Sequence, residues 1–245
     1  MMKGNSIVVA VVLGIAFVCG LAWAGTKVMK GRRPANEITV TGAAEMQISS
    51  DLIVWKASYS VTALDLKSAY SVIADNKRQV EDYIRSKNIP SDAIQFKSVD
   101  IQKTYEYQYN GNGGGRNVFS GYQLSQTVQV TSNDIDRVEA LSRDITELID
   151  KGMEITSYPP SYYYTKLNES KHEMLKAASE DALKRATAIA EGSNRKVGKL
   201  QRTQMGVFQV VGLYSDEDYS WGGSFNTSSR EKTISVTVKS SYSVH

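Results

Sequence analysis

Few residues in this chain have the types and spacing that chemistry needs. There are two histidines, His172 beside an apolar periodic stretch and His245 at the end of the chain. A Ser-His-Asp relay needs an imidazole set between a nucleophile and a carboxylate, and a histidine-rich metal site needs several imidazoles. Only one imidazole is usable for either, so His172 reads as an exposed helix residue. The glycines at 113, 114 and 115 lead into Arg116 and Asn117. No Gly-Lys-Ser or Gly-Lys-Thr opens a helix there, as a phosphate-binding loop requires. Carboxylates at Asp216, Glu217 and Asp218 suggest calcium. In an EF-hand register starting at Asp216, however, Trp221 occupies the glycine position and Thr227 the position of the closing glutamate. This loop reads as solvated and acidic. No catalytic residue, metal or cofactor is expected, and the chain is expected not to be an enzyme.

Tyrosine is the remaining oddity, with fourteen in the chain. They cluster at Tyr105, Tyr107 and Tyr109 and again at Tyr158, Tyr162, Tyr163 and Tyr164. Cross-strand aromatic packing accounts for such clusters. A contact surface does so too, because tyrosine brings apolar area with a hydrogen-bonding tip. On the second reading, Tyr162 and Tyr164 lie at a subunit or partner interface.

The elements that would carry these residues follow from periodicity. Ile53, Trp55, Ala57, Tyr59 and Val61 alternate within a strand over 50–62. The spacing then turns helical at Ala69, Val72, Ile73, Asn76, Val80, Tyr83 and Ile84, with Asp65 as N-cap and Asn88-Ile89-Pro90 as the stop. A strand over 94–109 changes parity near Ser98, which a bulge would reconcile. Asn110 to Gly115 reads as a hairpin loop leading to a strand with Tyr122, Leu124, Val128 and Val130. A second helix carries Ile135, Val138, Leu141, Ile145 and Leu148 and stops at Gly152. The next strand, 153–165, contains Pro159-Pro160, which suits a sheet edge. This is a βαββαβ order, that of the ferredoxin-like antiparallel sheet. A third helix over 168–193 follows, with Ala178, Ala182, Ala186 and Ala190 on one stripe. A polar loop over 212–230 precedes a final strand with Ile234, Val236, Val238, Tyr242 and Val244. The fold class is α+β.

Ahead of all this lies an uncharged run from Ile7 to Ala24 that includes Val12, Phe17 and Trp23. As a helix its eighteen residues would reach roughly 27 Å, close to the ~30 Å core of a bilayer. Two fates are open. Ala22-Trp23-Ala24 offers a signal-peptidase pattern. The cluster Lys27, Lys30, Arg32 and Arg33 just behind it favours an uncleaved anchor held at the headgroups. Taken alone, that cluster favours a cytoplasmic position for the rest of the chain. Cys19, the single cysteine, lies in the run after Ala16-Phe17-Val18, which is not a lipobox, so disulfides cannot contribute to folding. Residues 1–33 hold five of the 29 basic residues and none of the 26 acidic ones, which leaves a formal charge of −2 for 34–245. No nucleic-acid surface is implied. The organisation expected is a membrane anchor or signal segment over 1–33 and one α+β domain over 34–245.

Two stretches resemble a known family. Ile38-Thr39-Val40-Thr41-Gly42-Ala43-Ala44-Glu45 precedes a strand at Asp51. The alanine stripe from Ala177 to Ala190 leads through Gly192 to Val197-Gly198-Lys199-Leu200. Together these are similar to the two ends of the SIMPL-domain family, which includes bacterial periplasmic immunogenic proteins. Members usually have Pro-Asp where this chain has Ser50-Asp51. The resemblance covers about residues 37–245 and rests on structural motifs. It implies an extracytoplasmic protein, secreted or tethered, often oligomeric, and linked in some bacteria to envelope or oxidative-stress tolerance. It also moves the expected location to the outer side of the cytoplasmic membrane.

Three functions are expected in order. The first is a membrane-tethered, non-enzymatic envelope protein that assembles with itself or scaffolds others, with a homo-oligomer and the membrane as partners. The second is a binding module for a small molecule, peptide or glycan, with the aromatic loop from Tyr214 to Phe225 as its lip. The third is an enzyme using carboxylates and tyrosines in a cleft the sequence does not reveal.

Overall fold

The structure is a computed structural model that describes residues 36–111, 113–216 and 220–245. The apolar run with Ile7, Val12, Phe17 and Trp23 lies outside the described residues, as do Glu217, Asp218 and Tyr219 of the acidic loop. Among the described residues, no helix is long and apolar enough to cross a membrane. The fold is α+β, with three α-helices among the described residues, and divides into two compact units.

The larger unit comprises residues 43–178 and 206–237. Its main sheet is built from β2 (Leu52–Ala63), β3 (Ile94–Phe96), β4 (Asp100–Tyr109), β5 (Gly115–Ser132), β6 (Glu154–Ser157) and β7 (Ser161–Tyr163). β2 and β5 form the centre and pair antiparallel from Ile53–Ser132 to Ala63–Tyr122. β3 and β4 succeed each other along the outer side of β5, and β7 and β6 along the outer side of β2. Two helices lie wholly within this unit, α1 (Leu66–Ser86) and α2 (Ile135–Asp144), the latter running on as a 3-10 turn over Ile145–Lys151. Asp65 and Asp134 cap them, each accepting from the backbone N–H three residues on. Gly152 closes the second at φ 82°, a left-handed position that costs glycine little.

Alternation explains the core. Ile53, Trp55, Ala57 and Tyr59 of β2 and Leu124, Val128 and Val130 of β5 are buried with Ala69, Ile73, Val80 and Ile84 of α1 and Val138 and Leu141 of α2. Polar groups on this face are matched. Tyr59 Oη donates to Gln126 Oε1 at 2.6 Å, and Gln126 Nε2 donates to the Lys97 carbonyl at 2.7 Å. Burial pushes the Tyr59 phenol well above its usual range. Trp55 Nε1 donates to Ser157 Oγ at 2.9 Å, which in turn donates to the Ser142 carbonyl at 2.7 Å.

Two local expectations need correction. No bulge reconciles the two parities near Ser98; the chain leaves the sheet after Phe96 and re-enters at Asp100, so there are two strands. The stretch 153–165 is likewise two strands. Pro159 and Pro160 interrupt it because neither can donate to the ladder. In the final strand every even position from Lys232 to Val244 is buried, as alternation requires, and Thr233 and Ser241 of the other parity are buried as well.

That strand is β11 (Glu231–Val244), which with β1 (Glu37–Ser49) runs through both units. In the larger unit its first part pairs antiparallel with β9 (Gln209–Gly212), to which β10 (Ser224–Phe225) adds in parallel. The smaller unit holds 36–42, 179–205 and 238–245 of the described residues. It contains the second half of α3 (Leu167–Gly192) and β8 (Val197–Met205) paired antiparallel to the end of β11. Val40, Ala182, Ala186 and Tyr242 form its core, and the small alanines let the helix approach closely.

Candidate functional site

Three places in the larger unit could act on another molecule. The first is the arm formed by β4 and β5. Ten residue pairs run from Asp100–Ser125 to Tyr109–Gly115, with one register shift between Thr104 and Tyr105. The partner of Thr104 is Gly121 and that of Tyr105 is Phe119, so the extra residue, Ser120, lies on β5 and β4 itself is uninterrupted. Among the described residues β4 pairs with β5 alone, which leaves its other edge open.

The arm is amphipathic. Ile101, Lys103, Tyr105, Tyr107 and Tyr109 share one face by alternation, and their cross-strand partners add Leu124, Tyr122, Phe119 and Asn117 to it. The rings meet edge to face, Tyr105 with Phe119 at 6.0 Å and Phe119 with Tyr122 at 5.2 Å between centroids. The opposite face carries Asp100, Gln102, Thr104, Glu106, Gln108 and Arg116. The aromatic face continues the core face, since Tyr122 packs against the core beside Leu124. Farther out Tyr107 and Tyr109 are 65% and 67% exposed. At Gly115 a Cβ would sit 2.5 Å from the Tyr107 ring, so glycine lets that ring lie down on the arm.

The second place is an open cleft of about 680 Å³ lined by Ser50, Asp51, Asn133, Asp134, Asp136, Thr165, Lys166 and Arg230. Its carboxylates are engaged. Asp51 accepts from the Thr165 backbone N–H and from Thr165 Oγ1, both at 2.8 Å. Burial alone would raise the Asp51 pKa; the Thr165 hydrogen bonds and the nearby Lys166 charge outweigh it and hold the carboxyl below its usual value. Asp134 caps α2 and pairs with Arg137, while Asp136 pairs with Arg230 at 2.5 Å. Ser50 N–H donates to the Arg230 carbonyl at 3.0 Å, a bond that proline at this position could not make. The Ser50 hydroxyl is the one buried side-chain polar atom among the described residues without a hydrogen-bond partner.

Tyr162 and Tyr164, expected at an interface, are half-buried. Tyr162 Oη donates to Glu139 Oε1 at 2.9 Å, its backbone N–H donates to the Thr227 carbonyl at 2.7 Å, and its carbonyl accepts from Lys232 Nζ. Burial, with the Glu139 hydrogen bond and charge, pushes the Tyr162 phenol up to about 12. Tyr164 Oη lies 3.3 Å from Ser170 Oγ.

The third place is the aromatic loop. Tyr214 is 92% exposed in a left-handed conformation at φ 59°, and Trp221 is wholly exposed. His172 is exposed on α3, and among the described residues no group of three or more His, Cys, Asp or Glu is placed to hold a metal. The tyrosine cluster of β4 was visible in the sequence. Its isolation on a one-sided arm was not, because that depends on where α1 and α2 stop covering the sheet.

Against known proteins, residues 38–242 match a family profile described as SIMPL, a protein of unknown function (DUF541). The chain is 24% identical over 202 residues to the uncharacterized protein YggE of Escherichia coli K12, covering 80% of this chain and 74% of that protein. It is 23% identical over 193 residues to YggE of Edwardsiella ictaluri, covering 76% and 75%. A profile matched from β1 almost to the end of β11 spans both units, and on that ground the chain belongs to the SIMPL family.

Proposed function

We propose that this is a non-enzymatic protein of the bacterial envelope, tethered outside the cytoplasmic membrane by its N-terminal apolar run, that works by assembling with copies of itself. The observation that carries the proposal is the open, uninterrupted ten-residue edge of β4. Exposed edges of that length are templates for strand addition, and proteins that stay monomeric blunt them with bulges, prolines or short strands. Here the bulge falls on the inner strand and no proline interrupts the outer one; charges also blunt edges, and those on β4, Asp100, Lys103 and Glu106, restrict which registers can pair.

The registers open to two copies are few. An antiparallel pair related by a two-fold axis brings residues of one parity opposite each other. Centring on Lys103 or Glu106 would set like charges face to face. Centring on Thr104 or Tyr105 avoids this and sets Lys103 and Ile101 each opposite a tyrosine of the other copy. The sheet pairing β3–β5–β2–β6 supports reading this unit as a ferredoxin-like module carrying the arm. The engagement of every carboxylate in the Ser50 cleft supports a non-enzymatic reading.

The edge at β7 is already occupied at Tyr162 by Thr227, which makes Tyr162 and Tyr164 the weaker docking place. The test is light scattering on the full chain in detergent, comparing the parent with Gln102→Lys/Glu106→Lys and with Tyr162→Ser/Tyr164→Ser. Loss of assembly in the first variant supports the β4 edge, and loss only in the second moves the interface to β7. A second reading, a ligand-binding module, rests on the high exposure of both Tyr214 and Trp221, and a ligand-dependent melting shift would test it.

A further inference from the structure

We infer that the aromatic face of the β4–β5 arm lies against the lipid headgroup interface, a property that rests on reading the N-terminal run as a membrane tether. The starting point is the distribution of charge between the two faces. Asp100 and Glu106 stand on the polar face with Arg116, whereas the aromatic face carries Lys103 as its one charged side chain. Around it are Ile101, Phe119 and the rings of Tyr105, Tyr107, Tyr109 and Tyr122, with Asn117 opposite Tyr107 as the one neutral polar side chain. Tyrosine is the side chain that suits headgroup depth, with an apolar ring toward the acyl chains and a hydroxyl toward water. A lysine among such rings can lay its stem along them and raise its ammonium to lipid phosphate.

A second copy packed face to face suits this surface less well. It would bring another Lys103 to the same apolar contact, with no carboxylate on the aromatic face of either copy's β4–β5 pair to meet the two ammoniums. Edge pairing of two β4 strands about a two-fold normal to the sheet is compatible with lipid contact. It keeps both aromatic faces on the same side and doubles the surface that meets the bilayer.

Reach and affinity are consistent with this. Glu37, the first residue of β1, is thirteen residues after Ala24. An extended chain of that length spans at most about 45 Å. A tether this short keeps the local lipid concentration high, so a face too weak to bind a membrane alone would still be held there.

The experiment uses the full chain in phosphatidylcholine vesicles with Trp23 and Trp221 replaced by phenylalanine and Tyr107→Trp introduced as a probe. Trp55 is fully buried and serves as an internal reference. The expected result is a blue-shifted emission from the introduced indole that falls in step with the fraction of brominated lipid, an effect lost when Tyr105 and Tyr109 become serine and restored when they become phenylalanine. An introduced indole that stays accessible to aqueous iodide and insensitive to bromolipid overturns the inference. Shielding of that indole from both quenchers also overturns it and assigns the face to a protein partner. A parallel sample that retains Trp23 as its only probe of the tether reports separately whether the N-terminal run enters the bilayer, so failure of the tether and failure of the arm are read apart.

Discussion

The ammonium of Lys232 donates to the carbonyl oxygen of Tyr162 at 2.6 Å, and the lysine side chain is fully buried. β11 thereby reaches across to the edge strand β7 with a charge rather than an apolar group. Burial favours the neutral amine and pushes the Lys232 pKa below its usual value. Between the folded and unfolded pKa values the unfolded chain binds the extra proton, so stability rises with pH across that window. The expected outcome is that the stability difference between the parent and Lys232→Met shifts toward the parent as pH rises to about 10, the usual lysine range. Urea unfolding at stepped pH measures it, and a difference independent of pH would contradict the assignment.

Ser157 relays a hydrogen bond from the buried Trp55 indole to the Ser142 carbonyl of α2. Replacing it with alanine leaves the indole N–H without that acceptor inside the core. A loss of about 1–3 kcal/mol is expected, the usual cost of stranding a buried polar group. Ser157→Thr should recover part of the loss in the same denaturation assay.

Asp51 ties the start of β2 to Thr165. Its carboxyl is held below the usual value. The stabilisation is therefore present above the unfolded pKa and is lost as pH falls through the folded one. Asp51→Asn should be less stable than the parent at pH 7, with the gap closing as the pH falls below the usual aspartate value of about 3.9. A gap that persists there would assign the loss to shape rather than charge.

Gly121 adopts φ 141°, and a Cβ there would stand 2.6 Å from the Ala63 carbonyl oxygen. Both the conformation and the close approach require glycine. Gly121→Ala should cost about 1–3 kcal/mol through strain. It should also loosen the root of the arm, seen as faster hydrogen exchange in 100–109 than in 52–63.

Much of this architecture is legible in the chain because period-2 and period-3.6 patterns are dictated by which face is buried. Ile53 to Val61 and Ala69 to Ile84 show it directly, and the caps Asp65 and Gly152 fall where their side-chain and backbone preferences place them. β1 alternates in burial at Ile38, Val40, Gly42, Ala44, Met46 and Ile48, yet it is harder to read in the sequence because two of these inward positions, Gly42 and Ala44, are too small to mark a face. The split of 94–109 into two strands is set by what each half pairs with on β5, which local spacing does not encode. The tyrosines read the same way in both clusters of the sequence. Only tertiary contact separates them, because Tyr162 is enclosed by Glu139, Thr227 and Lys232 while Tyr107 and Tyr109 are largely exposed.

The most direct test is the solution mass of the full chain in detergent by light scattering, beside Gln102→Lys/Glu106→Lys, which charges the β4 edge and leaves the aromatic face intact. The expected result is a discrete multimer for the parent and a monomer with unchanged circular dichroism for the variant. A monomeric parent, or a variant that assembles as the parent does, would contradict assembly through β4.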